Sequence, residues 1–189
     1  GYTMQILRGT PPIETATSGY FMRQLSIGKN HHKDFEKLFN HSAGIAIISE
    51  DLAEEHNRVE LDFDNKDSFG LPGVKVYYEV SDNTKKILKH GMKMSKEVFS
   101  SAGAKVTASF APVKNSGWHL MGTARMGENQ NTSVVNKYGQ SHQVKNLFIV
   151  DSSVFVTSGA VNPVATAQAI TLFACNYIRE NASSISNSS

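Results

Sequence analysis

The sequence predicts a mixed α/β protein in which short strands and helices share a core. Three observations support this fold class. Several short runs are rich in β-branched and aromatic residues, two longer stretches repeat apolar residues at helical spacing, and glycine, proline and asparagine separate these segments. With 189 residues the chain is long enough to bury a real core.

Four strands are predicted before residue 111. Residues 43–49 form a short apolar, β-branched run, and residues 58–63 alternate apolar with acidic side chains. A turn ending in Gly70-Leu71-Pro72-Gly73 leads into residues 74–80, where apolar side chains fall on one face. Residues 105–110 predict a further strand. The first forty residues show only a short helical pattern from His31 to Asn40.

Two longer helices are predicted. Asp82 and Asn83 can cap the first, whose apolar positions recur at helical spacing until Gly103. The second opens at Asn162-Pro163, an N-cap residue followed by proline at the first helical position, and is expected to continue to about residue 179. Residues 146–150 form a continuous apolar run, typical of a strand buried on both faces. The polar residues 182–189 predict a disordered tail.

Composition excludes several classes of protein. The net charge of +2 and the hydrophobic fraction of 40% are unlike those of a basic nucleic-acid binder. No apolar stretch approaches the roughly 20 residues that cross a bilayer, so no membrane segment is predicted. Cys175 is the single cysteine and cannot form an internal disulfide. His31 and His32 lack a completing ligand cluster, so no metal site is predicted, and His56 and His142 are expected to be solvated.

Two segments carry the chemistry. Residues 117–127 read Gly-Trp-His-Leu-Met-Gly-Thr-Ala-Arg-Met-Gly and place His119 in an irregular, glycine-rich stretch. Residues 146–155 read Asn-Leu-Phe-Ile-Val-Asp-Ser-Ser-Val-Phe, and residues 159–166 read Gly-Ala-Val-Asn-Pro-Val-Ala-Thr. Each has a structural alternative: a histidine near glycines is often a hydrogen-bonded structural residue, Asp151 can simply end a strand, and Asn162 can be a plain N-cap.

The order and spacing of these motifs closely resemble the C-terminal region of the glucose-methanol-choline (GMC) family of FAD-dependent oxidoreductases. The resemblance rests on three linked motifs over residues 117–180, and residues 1–115 match only as a strand-rich substrate-binding region. Within the family, the sequence is most similar to dehydrogenases of sugars and sugar acids, of the gluconate type. One departure is Asn136, where the family usually has Asp.

The resemblance implies roles for individual residues. His119 matches the active-site histidine, and Asn162 matches the second catalytic position, which is His or Asn in the family. The positions implied for cofactor binding are Asp151, Ser152, Asn162, Pro163 and Thr166. Residues 1–115 are then a portion of the substrate-binding domain, and residues 116–181 complete the FAD-binding domain and the active site.

The family's Gly-x-Gly-x-x-Gly fingerprint, which holds the FAD pyrophosphate, does not occur in this sequence. The expected partner is therefore an N-terminal FAD-binding segment of the same protein, without which the chain is expected to be inactive. An apolar strand and helix made to be covered by that segment are expected to leave a large exposed patch.

Elementary chemistry agrees with these roles. Oxidation of an alcohol by hydride transfer requires the hydroxyl proton to leave, and a neutral imidazole such as His119 is suited to accept it. The amide of Asn162 can orient the hydroxyl without competing for the proton. The helix that begins at Pro163 can stabilise negative charge on reduced flavin.

The expected substrate is a small-molecule sugar, sugar acid or other alcohol, and oxygen, a quinone or a cytochrome is the electron acceptor. The alternative function is a non-catalytic substrate-binding or interaction module of the same fold. A hydrolase is set aside, because no Gly-x-Ser-x-Gly nucleophile motif is present.

Overall fold

The computed structural model describes residues 1–113 and 116–186. Within these residues the chain forms small sheets and helices, which confirms the predicted mixed α/β class. The elements are β1 (Tyr2–Arg8), α1 (Pro12–Phe21), α2 (His31–Leu38), β2 (Ala43–Ser49), β3 (Arg58–Lys66), β4 (Pro72–Tyr77), α3 (Asp82–Ser101), a 3-10 helix (Ser152–Val154) and α4 (Val164–Ser186).

The strands form two pairs. β1 pairs with β2, and β3 pairs with β4 in antiparallel register, with Leu61 opposite Val74 and an irregularity between Asp62 and Lys66. β4 ends earlier than the predicted residue 80 because the Asn57 side chain binds the backbone beyond it. The Asn57 amide donates to the carbonyl of Glu79 at 3.1 Å, and its oxygen accepts from the Glu79 N–H at 2.7 Å.

Two predicted strands are wrong. Residues 105–110 form no strand, and Val106 and Phe110 are exposed, because no described segment pairs with them. Residues 146–150 contribute only an isolated bridge between Phe148 and Gln140. Leu147 is 47% exposed, so this run is not buried on both faces. An apolar run becomes a central strand only where neighbouring strands bind its backbone, and the described residues supply one bridge.

The helix α3 has the predicted extent but a different cap. Ser81, rather than Asp82 or Asn83, accepts the Thr84 N–H on its hydroxyl at 3.1 Å and the Lys85 N–H on its carbonyl at 3.0 Å. These are the two bonds of an N-cap residue. The helix ends at Ser101, just before Gly103, whose φ of +83° supplies the left-handed turn.

The first forty residues contain two elements that were not predicted, β1 and α1. Pro12 occupies the first turn of α1, where proline's missing N–H costs no hydrogen bond. The predicted helix near residues 31–40 is confirmed as α2.

The chain divides into two compact units. One contains residue 1, residues 49–89 and the described residues from 110 onwards, and the other contains residues 2–48 and 90–109. Both candidate motifs lie in the first unit, together with the fully buried side chains of Val135, Val154 and Ala174. The predicted functional division near residue 115 stays a prediction. No helix among the described residues has the length and apolar character needed to cross a membrane.

Candidate active site

The segment that carries His119 is irregular, as predicted. His119 is half-buried, whereas its neighbours Trp118 and Leu120 are 83% and 78% exposed. Gly122 has a φ of +87°, a conformation that a residue with a Cβ adopts only under strain. A Cβ at this position would also lie 3.5 Å from the carbonyl oxygen of Phe155. That distance is an ordinary van der Waals contact, so it is the backbone conformation, rather than lack of space, that favours glycine here.

Backbone hydrogen bonds join these two segments directly. The N–H of Ala124 donates to the carbonyl of Ser153 at 2.9 Å, and the N–H of Met126 donates to the carbonyl of Val154 at 2.9 Å. Val154 is fully buried, so one of the two residues that accept these bonds is packed into the core. Motifs that are separate in sequence thus share one backbone scaffold.

Asp151 ends the apolar run and starts the 3-10 helix. Its carboxylate accepts a hydrogen bond from the Ser153 N–H at 2.7 Å. Hydrogen bonding from Ser153 holds the pKa of Asp151 below its usual value of 3.8, so the side chain is an anion at neutral pH. Asp151 is exposed and Ser152 is half-buried. The turn chemistry that favoured a structural role for Asp151 is therefore present.

The start of α4 lies after a short loop. α4 begins at Val164, so Pro163 precedes it, and the Pro163 carbonyl accepts the Ala167 N–H at 3.0 Å. This bond places Pro163, rather than Asn162, at the backbone N-cap position. The side chains of Asn162 and Thr166 are exposed. The N–H groups of a first helical turn have no partner within their own helix, so this end can receive an acceptor or an anion.

A hydrogen bond and a pair of ring contacts hold α4 against the rest of this unit. The Thr171 hydroxyl donates to the carbonyl of Val150 at 2.8 Å, immediately before Asp151. The ring of Tyr138 stacks on Tyr177 with ring centroids 3.9 Å apart and on Phe173 at 5.2 Å. The helix extends to Ser186, beyond the predicted end near residue 179. Residues 182–186 of the predicted tail are therefore helical, and residues 187–189 lie outside the described part of the chain.

His142 is not a solvated side chain, and that prediction is wrong. It is half-buried, and its Nε2 lies 3.0 Å from the Ser133 hydroxyl and 3.1 Å from the carbonyl of Gly127. Gly127 is the last residue of the His119 motif, so the contact with the Gly127 carbonyl lets His142 stabilise the end of that motif. Its position between polar residues in the sequence gave no sign of this role.

Asn136, the departure from the family pattern, serves a local turn. Its oxygen accepts the N–H groups of Tyr138 and Gln140 at 2.9 and 3.2 Å. Its amide donates to the side-chain oxygen of Gln140 at 3.2 Å, a bond that a carboxylate could not provide. The hydrogen bonds of this turn thus account for Asn at position 136 in place of the family's usual Asp.

Among residues 1–113 and 116–186, no three His, Cys, Asp or Glu side chains gather into a set that could hold a metal ion.

Comparison with known proteins identifies the family. Residues 53–171, well over half of the chain, match the C-terminal model of the GMC oxidoreductases. The chain is 39% identical to 2-methyl-1,2-propanediol dehydrogenase of Mycolicibacterium austroafricanum, over 98% of this chain and 34% of that protein. It is 28% identical to the fructose dehydrogenase large subunit of Gluconobacter japonicus, over 80% of this chain and 28% of the relative.

A third relative is the gluconate 2-dehydrogenase flavoprotein of Pantoea cypripedii, which is 25% identical over 75% of this chain and 24% of its own length. The chain thus spans about a third or less of each of these relatives. Proteins of the family are generally flavin-dependent. The match of the family model to more than half of the chain, on the residues that form this scaffold, shows that the chain belongs to the GMC oxidoreductase family.

Proposed function

We propose that the protein containing this chain is an FAD-dependent oxidoreductase that converts a CH–OH group of an alcohol, sugar or sugar acid into a carbonyl. The observation that carries the proposal is the pair of hydrogen bonds from Ala124 and Met126 to Ser153 and Val154. These bonds support a site in which residues from both motifs act on one substrate. The names of the relatives, which are dehydrogenases of a diol, a ketose and a sugar acid, support the same reaction class.

His119 is the proposed base. When the alcohol is oxidised, its O–H and carbinol C–H bonds break and a C=O bond forms. The proton passes to an imidazole nitrogen of His119, and the hydride carries two electrons away from the carbon. His119 is only half-buried, so part of its side chain is accessible from outside the chain.

Asn162 is the proposed orienting residue. Its amide can hydrogen-bond the substrate hydroxyl in both directions and does not titrate, so it fixes the hydroxyl while His119 takes the proton. Its exposed position at the entrance to α4 is suited to contact with a bound molecule.

The start of α4 is the proposed contact for one edge of the flavin. Val161 and Val164 are 51% and 59% exposed there, and the first turn contains no acidic residue that would repel an anion. FAD, when bound, supplies a two-electron acceptor for the hydride. The residues proposed to hold it are Asp151, Ser152, Asn162, Pro163 and Thr166. With FAD bound, the N-terminus of α4 would stabilise negative charge on the cofactor.

The proposed organisation follows the sequence prediction. Residues 1–115 contribute to the substrate-binding domain, and residues 116–181 complete the FAD-binding domain. An N-terminal segment of the same protein supplies the Gly-x-Gly-x-x-Gly fingerprint that this sequence lacks. The limited share of each relative that this chain covers supports such a segment.

The substrate class is tested with the whole protein. Its visible absorbance spectrum is recorded anaerobically before and after addition of vicinal diols, simple alcohols, sugars and sugar acids. Vicinal diols are included because of the relative that is 39% identical. Bleaching of a flavin band by one class establishes the reaction and its substrate. A bound flavin that no alcohol bleaches contradicts the proposed reaction, and absence of flavin favours the non-catalytic binding module.

A further inference from the structure

The side chain of Ser158 anchors the loop that leads to Asn162. The N–H of Asp51 donates to the Ser158 hydroxyl oxygen at 3.1 Å, and that hydroxyl donates to the carbonyl of Asp51 at 3.0 Å. Both contacts bind one side chain to the backbone of one residue 107 positions earlier in the chain. Ser158 is half-buried, so water competes less for these bonds than it would at an exposed position.

The two hydrogen bonds between Ser158 and Asp51 are called the clasp below. The Asp51 end of the clasp is itself held by other side chains. The Asp51 carboxylate accepts a hydrogen bond from the Thr84 hydroxyl at 2.8 Å and another from the Tyr78 hydroxyl. Thr84 is only 4% exposed and belongs to the first turn of α3. Partial burial, together with the bond to Asp51, raises the pKa of Tyr78 to about 12, so its hydroxyl remains a donor across the physiological range. Asp51 is thus held from α3 and from the residue after β4.

Ser158 lies between two fixed points. Val154 is fully buried and bonded to Met126, and the Pro163 carbonyl accepts the first hydrogen bond of α4. Between them, Ala160 is buried with a φ of +51°, a left-handed conformation that a non-glycine residue keeps only when its surroundings impose it. Ser158 lies two residues before Ala160 and four before Asn162, so its two hydrogen bonds hold the same short loop.

We propose that Ser158 and Asp51 are positioning residues that set the place of the Asn162 amide, an inference that rests on the proposed function. Asp51 connects this loop to β4 and α3, so the clasp links the Asn162 loop to the strand-rich part of its own unit. Neither residue is required to touch the substrate.

The test uses the whole flavin-containing protein and its substrate. Ser158→Ala removes both hydroxyl contacts, and we expect it to lower kcat about 10- to 100-fold while KM changes less than about threefold, because a displacement near 1 Å spoils the reacting geometry more than binding. Ser158→Thr keeps the hydroxyl and should restore most of the rate. Thr157→Ala, which removes an exposed hydroxyl next in the chain, is the matched control.

A double variant tests whether Ser158 acts through Asn162. Once the Asn162 amide is removed, its position can no longer affect the reaction. The rate of flavin reduction in Ser158→Ala/Asn162→Ala should therefore lie within about twofold of the rate in Asn162→Ala alone. Multiplied defects in the double variant would overturn the positioning role. Tyr78→Phe removes only the hydrogen bond from Tyr78 to the Asp51 carboxylate, and it provides a milder variant if Ser158→Ala fails to fold.

Amide hydrogen exchange of residues 155–162 gives a readout that does not depend on turnover. We expect faster exchange in Ser158→Ala and no change in Thr157→Ala. Faster exchange with an unchanged rate of flavin reduction would make the clasp purely structural and overturn the proposal. Failure of the unaltered protein to be reduced by any alcohol would instead overturn the proposed function, and the two failures are therefore distinguishable.

Discussion

At the scale of single residues, Gly139 shows how closely the turn after Val135 approaches the apolar run. Its φ is +73°, and a Cβ built on it would lie 2.5 Å from the carbonyl oxygen of Ile149. The Ile149 N–H donates to the Gly139 carbonyl at 2.8 Å, so the contact cannot open without loss of a backbone bond. Glycine is the residue type that satisfies both conditions.

Replacing this glycine should destabilise the protein strongly. Gly139→Ala combines backbone strain with a clash against backbone, and we expect a loss of about 3 kcal/mol or more of unfolding free energy. Gly70→Ala is the control, because Gly70 has a φ of +82° but nothing within 4 Å of a built Cβ. It should cost about 1 kcal/mol. Denaturant unfolding of the whole protein measures both, and equal losses would show that the close approach is unimportant.

The sequence predicted individual residues only where they belong to a motif. His119 and Asn162 were selected by motif order, and their catalytic roles stay predictions. Ser158 and His142 gave no signal, because their partners Asp51 and Gly127 are distant in the chain and no local pattern encodes such a contact. The cap of α3 was misassigned by one position because Ser81, Asp82 and Asn83 are all good cap residues.

At the scale of elements, α4 depends on the aromatic layer beneath it. Tyr138 stacks on both Tyr177 and Phe173, and Phe148 lies near Tyr177 with centroids 6.4 Å apart. This layer joins the helix to the turn of Asn136 and to the apolar run. The start of α4, with Asn162 and Pro163 before it, is therefore fixed partly by contacts two to four turns further along the helix.

Removing one ring of this layer should loosen α4. We expect Tyr177→Ala to lower the unfolding free energy by about 2 kcal/mol, from lost burial and the lost stacking on Tyr138. Leu172→Ala, on the same helix at a 67% exposed position, should cost less than about 1 kcal/mol. Thermal or denaturant unfolding compares the two variants. Similar losses would contradict the role given to the aromatic layer.

Elements were predicted well where local pattern decides them. α3, α2, β2 and β3 follow helical spacing or alternation and agree with the structure apart from their ends. Residues 105–110 and 146–150 have equally strong apolar patterns, yet the first forms no strand and the second only a bridge. A strand needs a partner as well as a pattern, and a single sequence does not state which segments will meet.

At the scale of the whole molecule, the chain exposes much apolar surface. One face of the β3–β4 pair presents Val59, Leu61, Val74 and Val76 at 48% to 69% exposure, and Leu172 and Phe173 on α4 are also exposed. A surface of this kind is typical of an interface. The predicted patch concerned the apolar run and α4, where Leu147, Leu172 and Phe173 are exposed, whereas the β3–β4 face was not predicted. We propose that an N-terminal segment of the same protein covers the exposed residues of the apolar run and α4.

His119 is the residue proposed to remove the substrate proton, within a site built from both motifs. The most direct measurement is the anaerobic rate of flavin reduction by the identified substrate in the whole protein, with His119→Ala compared against His142→Ala. We expect His119→Ala to bind flavin normally and to be reduced at least about 100-fold more slowly, while His142→Ala, which loses only a brace of the motif, keeps a rate within about tenfold. Reduction of His119→Ala at the unaltered rate would contradict the account.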